Sequence, residues 1–76
     1  MSMKCQKLDV LKTLLKSINH SLGNGPNGQS IYRFDNGLVV NVYETGAVVF
    51  QGEQTDGVLA KQIKQFIESA NAPFTN

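Results

Sequence analysis

The sequence predicts an α+β domain, a two-layer sandwich in which one antiparallel sheet carries two helices on a single face. Three observations predict it. Apolar residues recur at helical spacing from Leu8 to Leu22 and again from Leu59 to Ala70. Between them, Gln29 to Gly52 is rich in β-branched and aromatic residues. That middle stretch is cut twice by turn signals, Asp35-Asn36-Gly37 and Glu44-Thr45-Gly46. The expected order is α-β-β-β-α with three strands, or four if the alternating Met3 and Cys5 pair at an edge.

The first helix is expected from Leu8 to Leu22, with Leu8, Leu11, Leu14, Leu15, Ile18 and Leu22 as its apolar stripe. Asp9 suits the positive end of its dipole, Lys12 and Lys16 read as a solvated face, and Gly23 reads as a left-handed cap. Gly23-Asn24-Gly25-Pro26-Asn27-Gly28 spells the G-x-G-x-x-G of phosphate loops. That fingerprint works where a strand enters and a helix leaves, whereas here a helix is expected to enter and a strand to leave, so the segment reads as a connection. The strands are placed at Ser30 to Phe34, Leu38 to Tyr43 and Ala47 to Gln51. Thr55 or Asp56 can cap the second helix, whose stripe is Leu59, Ile63, Phe66, Ile67 and Ala70, and Pro73 stops it. Residues 1–7 and 72–76 are expected to be flexible ends of a single domain.

Strand facing depends on loop length, because one residue more or less turns every side chain over. With three-residue turns and left-handed Gly37 and Gly46, the residues Tyr32, Phe34, Leu38, Val40, Val42, Val48 and Phe50 share one face. Ile31, Arg33, Val39, Asn41, Tyr43, Ala47, Val49 and Gln51 then share the other. A two-residue Asn36-Gly37 turn is the alternative, and it places Arg33 beside Val40 and Val42, burying a charge without a partner. In the three-residue reading the helices cover the first face and leave the second bare, although Ile31, Val39, Tyr43 and Val49 are apolar or aromatic. Arg33, Asn41 and Gln51 add groups that bond base edges, phosphates or another backbone.

Composition limits what such a face can do. Seventy-six residues make one small domain with a formal net charge of +1, without the electrostatic signature of a strongly basic nucleic-acid binder. The single Cys5 cannot build a disulfide or a zinc site within the chain and suits a reducing compartment, so the cytosol is expected. No run reaches the roughly 18 apolar residues of a membrane span, and Met1 to Lys7 lacks the apolar core of a signal peptide. His20 is the only histidine and has no evident nucleophile beside it, so neither catalysis nor a cofactor is expected. Asp9, Asp35, Glu44, Glu53, Asp56 and Glu68 lie mostly where capping and turns explain them.

Leu38 to Gln65 resembles the strand-turn-strand-helix unit of the TATA-binding-protein fold, and within it the amino-terminal substrate-binding domain of the bacterial type-three ribonucleases H. The shared pattern is an aromatic residue, two spacers, a glycine, an apolar pair, and a glycine before the second helix. Here these are Tyr43, Gly46, Val48, Val49 and Gly52, with Phe50, Gln51 and Gly52 giving the ribonuclease domain's FQG. The resemblance implies a TATA-binding-protein-like half unit whose uncovered sheet face grips nucleic acid, with Val39, Asn41, Tyr43, Ala47, Val49 and Gln51 in that role. Tyr43 stands where the family has an aromatic wedge, and its bland reading is a surface strand tyrosine. The resemblance also implies a strand before the first helix, and a saddle made of two units, so a homodimer is expected here.

The pattern departs from that family at two places. A lysine usual after the turn glycine is Ala47 here, and a basic residue frequent after the aromatic is Glu44. Arg33, Lys61 and Lys64 remain as positive groups. Two functions are therefore expected of the same residues, Ile31, Arg33, Val39, Asn41, Tyr43, Val49 and Gln51. The first is a non-catalytic module binding RNA, DNA or a hybrid. The second is an interaction module that docks a nuclease, toxin or defence protein, or a second copy.

Overall fold

A computed structural model describes residues 2–72 of the chain. The elements in chain order are β1 (Ser2–Lys4), α1 (Leu8–Lys16), β2 (His20–Asn24), β3 (Ser30–Phe34), β4 (Leu38–Val42), β5 (Ala47–Gly52) and α2 (Val58–Asn71). The five strands form one sheet in the order β1-β5-β4-β3-β2, with every neighbouring pair antiparallel. The α+β class, the antiparallel sheet and the two helices are as expected. The strand count and the order α-β-β-β-α are corrected to five strands in the order β-α-β-β-β-β-α.

Both additional strands come from segments with weak strand signals. The first helix stops at Lys16 rather than Leu22, because Ser17 and Ile18 donate main-chain hydrogen bonds to Leu14 and Leu15 at 3.0 and 3.2 Å and tighten the last turn. The Ser17 hydroxyl also donates to the Leu14 carbonyl, at 2.6 Å. From His20 the chain is a strand, so Leu22 lies on β2 and Gly23 is a strand residue rather than a helix cap. Gly25 to Gln29 becomes the turn of a β2–β3 hairpin, closed by Gly25 N–H donating to the Gln29 carbonyl at 2.8 Å. A strand leaves that turn as well as entering it, so no helix start is available to hold a phosphate.

β1 pairs with the far side of β5, matching Met3 with Val48 and Lys4 with Ala47. Within residues 1–7, expected to be a flexible end, Ser2–Lys4 thus forms a strand. Met1 and the end 73–76, including Pro73, lie outside the described residues.

The turns between β3, β4 and β5 are the three-residue kind. Gly37 and Gly46 have φ of +92° and +100°, a region that L side chains rarely adopt. Gly37 N–H donates to Phe34 and Gly46 N–H to Tyr43, and the register pairs Arg33 with Val39 and Val42 with Val48. This register points Tyr32, Phe34, Leu38, Val40, Val42, Val48 and Phe50 toward the helices, where all seven are buried. They pack with Cys5, Leu11 and Leu15 from one side of the chain and Ala60, Ile63 and Ile67 from α2. Each fully buried Val or Leu contributes about 1.5–3 kcal/mol by leaving water.

α2 has Gly57 at its N-cap position and no side-chain cap, which corrects the expected capping by Thr55 or Asp56. Lys64 instead donates to the Thr55 carbonyl at 2.8 Å and lies 5.2 Å above the Phe50 ring, tying the link to the helix.

Candidate functional site on the open face of the sheet

The helices occupy one side of the sheet, and strand alternation sends the remaining side chains to the other. Three cross-strand rows result. The middle row runs Gly23, Ile31, Asn41, Val49, Ser2, and one flanking row runs Ser21, Arg33, Val39, Gln51. The other flanking row holds Gln29, Tyr43, Ala47 and Lys4, since Gln29 and Tyr43 form the next pair out from Ser30 and Val42. All seven residues expected to form a site, Ile31, Arg33, Val39, Asn41, Tyr43, Val49 and Gln51, therefore share this face.

Their exposure differs. Arg33 and Gln51 are exposed, and Ile31, Val39, Tyr43 and Val49 are half-buried by their neighbours alone. Asn41 is 5% exposed at the centre. Its Nδ2 donates to Gln51 Oε1 at 2.9 Å, satisfying a buried donor as such groups require. The face is thus a patch of aliphatic side chains around one fixed amide pair.

A second amide fixes the end of the face. Gln29 is buried although it lies beside a turn. Its Oε1 accepts from Asn27 N–H at 2.9 Å, and its Nε2 is 3.4 Å from the Tyr43 hydroxyl. The side chain lies across Gly25, where a Cβ would overlap it. Tyr43 is therefore held from the β2–β3 turn.

The charges are sorted by face. Lys4 and Arg33 are the charged residues of the three rows, and no Asp or Glu falls in them. Arg33 reaches over β2, with Nη1 3.2 Å from where a Cβ on Gly23 would stand. Lys4 runs along the β4–β5 turn, with Cε 3.4 Å from a Cβ position on Gly46. Lys4 thus brings a cation next to Ala47. Glu44 lies 3.0 Å from the Lys12 ammonium of α1. Lys12 is accordingly half-buried and paired, which corrects its reading as part of a solvated face. Lys61 is exposed on α2, and Lys64 is tied to Thr55; neither lies on the open face.

Lys4 and Gln29 escaped the sequence reading because each depends on a strand that the pattern hid. The alternation at Met3 and Cys5 was the available signal for Lys4, and the pairing of Gln29 needed β2.

Behind the sheet, His20 packs 5.3 Å from the Tyr32 ring, and the Ile18 carbonyl accepts from its Nδ1 at 2.6 Å. Burial pushes the Tyr32 phenol above its ordinary value, while the Lys12 ammonium pulls it the other way. Among the described residues there is no enclosed pocket and no group of His, Cys, Asp and Glu that could hold a metal ion. No helix among them is long and apolar enough to cross a membrane. No protein-family model matches the chain, and no curated protein or solved structure matches it either.

Proposed function

We propose that this chain is a non-catalytic nucleic-acid-binding module acting through the open face of its sheet. One observation carries the reading: that face combines uncovered Ile31, Val39, Tyr43 and Val49 with two cations, Lys4 and Arg33, and, among the described residues, no carboxylate in its rows. Aliphatic and aromatic side chains lie against bases and sugars, while the cations at opposite ends meet phosphates. Tyr43, held by Gln29, is the stacking group. The resemblance to the TATA-binding-protein-like domains supports the same role, and β1 supplies the strand ahead of the first helix that this family's unit has. A lone thiol and a net charge of +1 suit a cytosolic protein of modest, salt-sensitive affinity.

Titration with RNA, DNA and hybrid duplexes at low salt tests the proposal. Binding with Kd of about 10⁻⁶–10⁻⁴ M is expected, the range of weak electrostatic binders. No binding of any of the three at roughly 10⁻⁴ M overturns it. Ala47 and Glu44, standing where the family pattern is basic, favour a second reading in which the face docks a nuclease, toxin or defence protein. A stoichiometric protein partner lost in Tyr43→Ala, with no nucleic-acid binding, would select that reading.

A further inference from the structure

The sheet has two edges, and the chain treats them differently. β1 has only three residues, and the side chain of Asn71 takes the outward carbonyl of Lys4 together with the N–H of Gln6 just beyond the strand. Asn71 Oδ1 accepts from Gln6 N–H at 2.8 Å, and its Nδ2 donates to the Lys4 carbonyl at 2.5 Å. That edge is short, carries Lys4 and is partly capped, which are ways natural sheets blunt an edge.

β2, the other edge, is left bare. Gly25 bonds inward to Gln29, so by antiparallel alternation Gly23 and Ser21 also point their main-chain groups at β3. His20, Leu22 and Asn24 point theirs outward, where the described residues offer no partner. The strand carries none of the usual guards, having no Lys, Asp, Glu or Pro. At its midpoint Leu22 is 53% exposed, one of only three large apolar residues so exposed among the described residues.

We propose that two copies of this chain join antiparallel through β2, about a two-fold axis beside Leu22. The strand has five residues with an outward-pointing one at its centre, so it is its own complement. Leu22 pairs with Leu22 of the second copy, and His20 with Asn24 of the second copy, which uses every outward main-chain group of these residues. The two Leu22 side chains bury each other on the helix side of the new sheet. On the open side Ser21 meets Gly23 of the second copy, leaving a low seam. Arg33 already leans over Gly23, so each copy sends a guanidinium toward that seam. The pairing doubles the open face and sets two cations at its middle. This consequence rests on the nucleic-acid reading, whereas the pairing does not.

Sedimentation of the protein without nucleic acid tests it. The wild-type chain is expected at about twice its 8.3 kDa, while Leu22→Pro and Leu22→Lys run as monomers with unchanged circular dichroism. Proline at Leu22 removes only an outward N–H. If Leu22→Pro fails to fold, a disulfide decides the matter. Opposed residues of a hydrogen-bonded antiparallel pair have Cα atoms about 5.5 Å apart, within reach of a disulfide. Leu22→Cys in a Cys5→Ala background should therefore cross-link on mild oxidation, and Ser21→Cys in the same background should not. A wild-type monomer at about 1 mM, or a dimer indifferent to both Leu22 substitutions, overturns the proposal. A dimer that binds no nucleic acid leaves the pairing standing and removes the proposed function; a monomer that binds does the reverse.

Discussion

Asn41 and Gln51 share a hydrogen bond of 2.9 Å on the bare side of the sheet, yet Asn41 is almost wholly removed from solvent. The partner does the exposing: Gln51 stands in water and lends its Oε1 to the amide beneath it. A polar group fixed among Ile31, Val49 and Tyr43 keeps its geometry before any ligand arrives, which lowers the ordering cost of binding.

Gln51→Ala should therefore destabilise the protein although Gln51 is exposed. It leaves the Asn41 donor without its partner, at a cost of about 1–3 kcal/mol. Denaturant unfolding checks this, and a neutral result would show that water serves Asn41 equally well.

Gly25→Ala is expected to act at a distance on Tyr43. Its Cβ would overlap the Gln29 side chain, which has no free space to retreat into because it is buried and bonded to Asn27 and Tyr43. Overpacking of this kind costs about 1–3 kcal/mol. Ring-proton line widths of Tyr43 should change in Gly25→Ala and in Gln29→Ala alike; a change in neither would separate Tyr43 from the turn.

How far these features were legible in the sequence follows from what each one depends on. The two faces of β3, β4 and β5 were readable because Gly37 and Gly46 set the loop lengths, and loop length sets which side chains point inward. β2 was not readable. Leu22 continues the three-and-four spacing of Leu11, Leu15 and Ile18 by coincidence, while His20, Ser21, Gly23 and Asn24 have little strand preference of their own. Pairing with β3 overrides that preference, and pairing is not a local property. β1 hid for the same reason, since three residues hold their place only against β5 and Asn71. Eight residues of the open face, Ala47 among them, were thus found from the turns, while Lys4 and Gln29, which rest on the hidden strands, were not.

The cations of the open face should appear in the salt dependence of nucleic-acid binding. Each phosphate contact contributes about 0.9 to the slope of log K against log salt on duplex DNA, and about 0.7 on a single strand. Lys4→Gln and Arg33→Gln should each lower the slope by that amount, whereas Lys61→Gln on α2 should not. Equal effects from all three would place the ligand elsewhere.

Tyr43 separates stacking from hydroxyl chemistry. Tyr43→Phe keeps a ring for a base to lie on, and Tyr43→Ala removes it at a cost of about 1–3 kcal/mol, or roughly 5- to 150-fold in Kd. Binding curves for the two variants check this, and an alanine variant that binds like the wild type would exclude stacking at this position.

Tyr32 makes stability depend on alkaline pH. Its phenol is raised above 10.0 in the fold, chiefly by burial, so the unfolded chain releases that proton first. Below about pH 10 both states hold the proton and the contribution is constant. As pH rises through and beyond 10 the unfolded state binds fewer protons than the folded one, so unfolding free energy falls with pH. Tyr32→Phe removes the ionisable group while keeping the ring against His20, and its stability should decline less steeply than that of the wild type over the same range. Urea unfolding of both proteins between about pH 8 and 11 measures the difference, and parallel curves would mean that the phenol ionises as readily inside the fold as outside it.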